Sequence, residues 1–528
     1  MTLPSSTKVH PDEYTAKRSY LTVGLVLLLL AVAFILRFYG LSEQSYWMDE
    51  SFSINLAESI AHHGQPLPGA DTGSLLSNFK NSLGIRGPIY HYLLAAVTTI
   101  FGSSEYATRG LSAVIGLSFV ALIGWISLVW FDKMTSLSVM LLVAVNYWQI
   151  AWSRQARDYM LLCFLFWLAI FLMERGLALW PQKKKYITGA AAAGVMTAGI
   201  HPMGLLLLPA AIFLFIIKKI TKISSPTGII LYPIFILLAL KSSDAIIYLV
   251  HKYFGTGPSY LSHYSAFLQR EYWPFLLVVP FVLLAGKRQS EKEILFWLLS
   301  VFFFGLLVIA NGIPLLAYRY IFFLTPVIIL FGARGVGSLF RKKRVIGVGT
   351  LALMLTIQLF NGQAVLVPRH CFFLESDSRT SPFPYKCYTP QPRFKEAYAY
   401  INKLGNINLI TPYPTISRLY RKDRDILALK IRLKDYPGTN EAKKERYTGI
   451  PFLTFPAFAF LQQSDYDVYF LMDFFSQTRM DPLLNKLIKE HSTVVKVWQQ
   501  PEWSDLTLYK LNHRQDAMPR SGILRRGR

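Results

Sequence analysis

Residues 21–50 read LTVGLVLLLLAVAFILRFYGLSEQSYWMDE. The run Leu21–Leu36 is almost wholly apolar, and Lys17 and Arg18 precede it. A secretory signal would close on a small-residue cleavage site. Here the chain continues instead with Arg37-Phe38-Tyr39-Gly40, then Tyr46-Trp47-Met48-Asp49-Glu50. The run therefore reads as an uncleaved anchor with its basic N-terminus in the cytoplasm. An acid pair flanked by aromatics then emerges on the far side of the membrane.

The composition of the 528 residues agrees. Hydrophobic residues make up 53% and charged residues 16%, where soluble domains carry roughly 25% charged. These values exclude a disordered chain, a collagen-like chain and a disulfide scaffold, and argue against an ordinary soluble enzyme. Aromatics reach 15%, as in proteins with Trp and Tyr belts. The net charge of +24 comes from 55 Lys+Arg against 31 Asp+Glu. The basic residues fall in short clusters between apolar runs, the pattern of cytoplasmic loops rather than of nucleic-acid binding. Cys163, Cys371 and Cys387 have no metal-ligand spacing.

Further apolar runs are Leu111–Phe131, Met134–Trp152, Tyr159–Trp180, Tyr186–Ile200, Met203–Ile217, Gly228–Leu240, Trp273–Ala285, Ile294–Ala310, Leu316–Phe331 and Val345–Phe360. Several of these fall short of the ~20 residues of a full span; Pro88–Phe101 is a further candidate whose 14 residues lie in the range of interfacial or re-entrant segments. Charge decides its place. Basic clusters stand at Lys183–Lys185, Lys218/Lys219/Lys222, Lys287/Arg288 and Arg341–Arg344. If Pro88–Phe101 does not cross, every cluster falls inside; if it crosses, every one falls outside. The positive-inside rule selects about eleven spans, with Pro88–Phe101 along the outer face.

The expected organisation is a mainly α, polytopic helix bundle followed by a small external α/β domain. Residues 1–18 form a cytoplasmic N-terminus and 19–362 the transmembrane domain, with an external loop over 37–109. Residues 363–512 form the external domain and 513–528 a basic tail. The external domain alternates strand-like runs (Asn408–Thr411, Asp467–Met472, Thr493–Trp498, Leu506–Leu511) with helical ones (Arg393–Leu404, Asp481–His491). Asp481-Pro482 is a cap followed by proline, a helix start. Cys371 and Cys387 lie in this external region, where a disulfide is permitted.

The parity gathers charged residues on one face. Asp49 and Glu50 sit between Trp47 and Phe52, where a carboxylate is costly to desolvate and has a partner or a task; the plain alternative is a solvated loop acid. Ser153–Tyr159 brings Arg154, Arg157 and Asp158, and Arg109 heads the second span. Arg319 stands between Tyr318 and Tyr320. Each arginine reads either as a snorkelling anchor or, because its planar fork suits phosphate oxygens, as a phosphate ligand. His201 beside Pro202 is a turn residue or an acceptor or metal contact.

The order of these features resembles the GT-C superfamily of integral-membrane glycosyltransferases, in the branch of the protein O-mannosyltransferases and aminoarabinose transferases. The matching residues are Leu41 through Trp47-Met48-Asp49-Glu50-Ser51, Arg86-Gly87-Pro88-Ile89-Tyr90, Glu105 through Arg109, Ser153 through Tyr159, and Tyr318-Arg319-Tyr320 with Pro326. The resemblance extends to about residue 335. It implies a sugar donor on a polyprenyl phosphate, transfer with inversion, and Asp49 as the catalytic base; Glu50, its neighbour, is taken as a second catalytic residue that orients rather than reacts. The resemblance extends substrate contacts to Asp158 and Arg86; from their own chemistry and place, Arg319, Arg157 and Arg154, with Tyr318, are the candidate donor-phosphate ligands, and Arg109 and His201 are further substrate-binding candidates.

The chemistry fits that layout. An acceptor hydroxyl or amine attacks the anomeric carbon and a carboxylate takes its proton. The leaving phosphate needs cations rather than an acid, so the carboxylate pair of glycosidases is not required. The expected partners are the polyprenyl-phosphate sugar, membrane lipids, and a glycan, lipid or protein acceptor, with no nucleic acid. The cofactor stays open: relatives differ in their use of a divalent metal, and no ligand set stands out. The expected location is a bacterial inner membrane, with the site and the C-terminal domain outside. The competing class is a transporter or flippase of lipid-linked sugars, which would carry repeat symmetry and midplane ionisable groups.

Overall fold

The structure is a computed structural model. It describes residues 11–64, 88–179, 182, 184–220, 258–285, 289–313, 317–361, 392–421, 427–430, 443–444, 450–499 and 505–513. Arg86, the run Gly228–Leu240, Cys371, Cys387 and the basic tail beyond 513 lie outside these residues.

The membrane region comprises α1 (Pro11–Phe38), α2 (Met48–His63), α3 (Pro88–Phe101), α4 (Glu105–Trp130), α5 (Lys133–Val145), α6 (Tyr147–Ser153), α7 (Tyr159–Ala178), α8 (Lys185–Ile200), α9 (Leu207–Ile220), α10 (Leu261–Ala285), α11 (Gln289–Gly312), α12 (Thr325–Lys342) and α13 (Arg344–Asn361). Short 3-10 turns, Pro202–Leu206 and Tyr318–Leu324, lead into α9 and α12. The expected apolar runs within the described residues fall on helices, but Met134–Trp152 is broken into α5 and α6, and the runs from Met203 and Leu316 pass through the 3-10 turns. Among the described residues, five helices are long and apolar enough to cross a membrane, or six if the bent pair α5–α6 is one span. The run expected to begin at Trp273 starts earlier, at Leu261, and carries Pro274 and Pro280 inside the helix.

The α5–α6 break bends the chain by 59°. Broken helices need partners for their freed backbone groups where no water reaches. Asn146 supplies one, its Oδ1 accepting from Gln149 N at 3.0 Å. Arg37 supplies others: fully buried, it donates to Val143 O at 3.3 Å and Ala144 O at 3.1 Å. Gly116 leaves the space, since a Cβ there would lie 2.1 Å from Ser153 Oγ and 3.1 Å from Arg37 Nε.

Helix α3 lies along one end of the bundle. Its first turn packs Ile89 on Gly199, at the end of α8, and the Tyr90 hydroxyl meets Ser112 Oγ at 3.0 Å. After its last turn, Gly102 turns the chain at φ 77°, Ser103 O accepts from the Tyr46 hydroxyl at 2.8 Å, and Ser104 caps α4. Both ends of α3 therefore meet the same end of the bundle. At the opposite end Arg334 joins Asp132 and Glu291, each at 2.7 Å.

The C-terminal domain comprises α14 (Phe394–Ile401), β1 (Asn408–Thr411), α15 (Pro414–Tyr420), β2 (Leu427–Ala428), α16 (Phe455–Gln462), β3 (Val468–Asp473), α17 (Phe474–Arg479), α18 (Pro482–Glu490), β4 (Ser492–Trp498) and β5 (Leu506–Leu511). The sheet order is β2-β1-β3-β5-β4, with β1 parallel to β2 and β3 and β5 antiparallel to β3 and β4. One face packs Leu409 and Leu471 against Phe394 and Tyr398; the other packs Ile410 and Phe470 against Phe458 and Ile488. Asp481 caps α18 as the sequence implied, accepting from Leu483 N at 3.0 Å. Met48 at the start of α2 packs against the first of these cores, so the domain sits on the end that holds α3.

Candidate active site

Four elements meet under the C-terminal domain: the start of α2, the first turns of α4, the loop 154–158 and the 3-10 turn 318–324. Trp47 enters α2 in extended backbone, so Asp49 and Glu50 stand in its first turn, where the helix dipole favours acids.

The two acids point to different surroundings. Glu50 is fully buried. Its Oε1 accepts from Arg109 Nε at 2.8 Å and Ala156 N at 2.9 Å, and its Oε2 from Arg109 Nη2 at 2.7 Å. Arg109 also donates to the carbonyls of Leu41, Gln44 and Ser45 at 3.0, 2.9 and 2.9 Å. Such a bidentate pair fixes geometry as well as charge. Glu50 thus ties α2, α4 and the loop 154–158 together and has no face toward a substrate. The sequence expectation of a catalytic Glu50 and a substrate-binding Arg109 changes accordingly: both hold the site's frame.

Asp49 is 17% exposed, and its Oδ2 lies 3.9 Å from Arg157 Nη2 and 3.6 Å from Arg319 Nη1. Both are ion-pair contacts beyond hydrogen-bond length. Arg157 is anchored by its other nitrogen, which donates to Asp49 O at 3.0 Å and Ser53 Oγ at 2.8 Å. Burial alone would lower the Arg157 pKa, but Asp49 and Asp158 raise it above the usual value, so it is a fixed cation. The Arg319 guanidinium lies 5.6 Å from the Tyr320 ring centre.

The remaining candidates divide. Arg154 donates to the carbonyls of Leu36, Tyr39 and Gly40, closing the end of α1. Burial brings its pKa down to about 10, still cationic at neutral pH. It is a backbone clamp rather than the expected phosphate ligand. Tyr318 stacks on Phe267 with ring centres 4.5 Å apart, a packing role. Asp158 is 3% exposed, and its Oδ1 has no hydrogen-bond partner among the described residues. His201 accepts from Met203 N at 3.2 Å, and its ring lies 5.8 Å from Tyr159 and 6.2 Å from Tyr320. Sequence reasoning missed this aromatic wall; the flanking of Arg157 and Arg319 by tyrosines was its only signal. Arg86 lies outside the described residues. No group of three or more His, Cys, Asp or Glu side chains is arranged for a metal among those described.

The arrangement is one accessible carboxylate between two arginines, Arg157 and Arg319, on a frame held by the buried Glu50–Arg109 pair. It can take a proton from a nucleophile and hold an anion beside it.

A family model described as dolichyl-phosphate-mannose-protein mannosyltransferase matches residues 86–247. Among solved structures, ArnT from Cupriavidus metallidurans bound to undecaprenyl phosphate is 12% identical, with a TM-score of 0.55 over 92% of this chain and 98% of that one. The oligosaccharyltransferase of Archaeoglobus fulgidus, tethered to an acceptor peptide, is 11% identical over 95% of this chain and 75% of that one, with a TM-score of 0.48. No curated protein sequence matches the chain. The ArnT likeness shows the fold alone: a membrane helix bundle carrying a small α/β domain.

Proposed function

We propose that this integral membrane protein is a glycosyltransferase that moves a monosaccharide from a polyprenyl phosphate to an acceptor, with inversion at the anomeric carbon. The observation that carries this reading is the Asp49 carboxylate between Arg157 and Arg319 at 3.9 and 3.6 Å. The family-model match over 86–247 and the ArnT fold support the same class. So does the undecaprenyl phosphate bound to ArnT.

In the proposed step, an acceptor oxygen or nitrogen forms a bond to the anomeric carbon while its proton passes to Asp49. The bond from that carbon to the phosphate oxygen breaks, and its electron pair leaves with the phosphate. General-base assistance of this kind contributes ~10²–10⁴-fold. Arg319, with Arg157 behind it, meets the growing phosphate charge through preorganised donors. Asp158, with its unpartnered oxygen, is assigned to a sugar or acceptor hydroxyl. The acceptor is a glycan, a lipid or a polypeptide.

The proposed setting is a bacterial inner membrane with the site on the non-cytoplasmic face. Single cysteines at Ser290 and Asp465, in a chain lacking its native cysteines, test the orientation. An impermeant thiol reagent should label position 465 from outside and leave 290 unlabelled; the reverse pattern would invert the protein.

Mass spectrometry of lipids co-purifying with the protein tests the reaction class. A polyprenyl phosphate, or its sugar ester, is expected. Bulk phospholipid alone, under conditions where added polyprenyl phosphate is also not retained, would contradict it.

A further inference from the structure

The segment carrying Asp49 is held from two sides. Arg109 grips it from the membrane bundle, through Glu50 and the carbonyls of Leu41, Gln44 and Ser45. The C-terminal domain grips it from the other side. Lys395 donates through its backbone N to Ser45 Oγ at 3.0 Å and through Nζ to Ser42 O at 3.1 Å. The Tyr420 hydroxyl accepts from Tyr46 N at 3.0 Å and donates to Glu105 Oε1 at 2.8 Å. The Tyr46 and Tyr420 rings lie 5.8 Å apart. The Thr415 and Ser51 hydroxyls are 2.8 Å apart, and Asn55 Nδ2 donates to Thr415 O at 2.9 Å.

Thr415 and Tyr420 stand near the two ends of α15, so one short helix spans the whole segment from Tyr46 to Asn55. Helix α15 is rooted in the sheet. Tyr413, just before it, donates its hydroxyl to the Asp473 carboxylate at 3.0 and 3.1 Å, at the end of β3. Asp473 is itself fixed by Ser476 N at 2.8 Å. Burial raises the Asp473 pKa, and these hydrogen bonds oppose that rise. A continuous series of polar contacts therefore runs from β3 through α15 to the first two turns of α2. Ser51 and Asn55 lie on α2 within two turns of Asp49, so any tilt of α2 about its first turn would redirect the Asp49 carboxylate away from Arg319.

We propose that Thr415 and Tyr420 are positioning residues: α15 of the C-terminal domain clamps residues 46–55 and sets the direction of Asp49. The proposal rests on the reading of Asp49 as the base, and it makes the C-terminal domain a working part of the active site rather than an appendage. The hydroxyls themselves touch no substrate.

The test uses the full chain with Thr415→Val and Tyr420→Phe combined, and Thr415→Ser as the conservative control. Displacing a catalytic group by about 1 Å costs up to roughly a hundredfold, so kcat of the double variant should fall roughly ten- to a hundredfold. Donor KM should stay within about twofold, since the arginines are untouched. Thr415→Ser should behave as wild type. Amide hydrogen exchange over 46–55 should quicken in the double variant and stay unchanged in α12. Wild-type kcat with unchanged exchange would overturn the proposal. So would faster exchange across the whole bundle, which would mean that the hydroxyls hold the fold and not the acid. If the wild-type protein transfers no sugar, the exchange result still decides. Quickened exchange confined to 46–55 keeps the clamp and removes the base role; unchanged exchange removes the clamp.

Discussion

Among the described residues, two carboxylates each sit between two arginines, one at each end of the bundle. At the end away from the C-terminal domain, Asp132 Oδ2 lies 2.7 Å from Arg334 and 2.6 Å from Arg341, while Oδ1 accepts from Thr135 N at 2.9 Å. Arg334 is closed further by Glu291 at 2.7 Å. At the other end, Asp49 lies 3.9 Å from Arg157 and 3.6 Å from Arg319. The ingredients are the same and the distances are not. Asp132 has used its acceptor positions on a helix cap and two guanidinium groups, which is how an ion pair holds helices together. Asp49 keeps its acceptor positions available, and its arginines are held near it without closing on it. A gap of that kind leaves room for a second anion and a nucleophile.

The largest expected effect lies beneath the open site. Glu50→Gln leaves Arg109 buried without its charge partner, and breaking such a pair costs about 3–5 kcal/mol. From sequence alone Glu50→Gln reads as milder than Asp49→Asn, because a neighbouring acid orients rather than reacts. The burial of Glu50 reverses that expectation for stability: the variant should lose much of its yield of folded protein and melt well below wild type in detergent. A near-wild-type melting temperature would show that the frame does not depend on this pair.

That reversal also marks how far the sequence could be read. The apolar runs revealed the helices, because the length of an apolar stretch is a local property. Asp49, Arg157 and Arg319 converged through parity alone. The partner of Glu50 was not legible, since Arg109 lies on another helix and pairing at that separation leaves no spacing signal. In the sequence Arg154 reads as a snorkelling anchor or a phosphate ligand and Arg37 has no assigned role; only the fold reveals that Arg37 binds carbonyls at a helix break and Arg154 at a helix end. The domain's β1, β3 and α18 followed from alternation and capping, whereas α15 is too short to show a period, and its seat on α2 is tertiary.

Arg319 gives the next effect. Arg319→Ala should weaken donor binding by about 1.5–3 kcal/mol, one to two decades, the range for a charge-assisted contact. Arg319→Lys should fall between the two, because it keeps the charge and loses the fork. Titration with a polyprenyl-phosphate sugar measures both. Unchanged affinity in the two variants would make Arg319 an interfacial anchor only.

The smallest effect belongs to the closed end. Burial would raise the Asp132 pKa, but Thr135, Arg341 and Arg334 hold it below the usual carboxylate value. A depressed folded pKa means the stabilisation is present above the unfolded value of about 3.9 and is lost as pH falls through the folded one. The side chain is 30% exposed, so solvent screening limits the effect to about 0.5–1 kcal/mol. Asp132→Asn should lower stability by that amount at pH 7 and flatten the acid limb of a melting-temperature profile. A fall in turnover of tenfold or more would erase the distinction between the two ends.

The direct test compares the two aspartates in one assay, with donor binding and sugar transfer measured on wild type, Asp49→Asn and Asp132→Asn. Asp49→Asn should bind the polyprenyl-phosphate sugar nearly as wild type does and transfer it ~10²–10⁴-fold more slowly, the range for loss of a general base. Asp132→Asn should bind and transfer normally. Near-wild-type transfer by Asp49→Asn would contradict the assignment of Asp49 as the base.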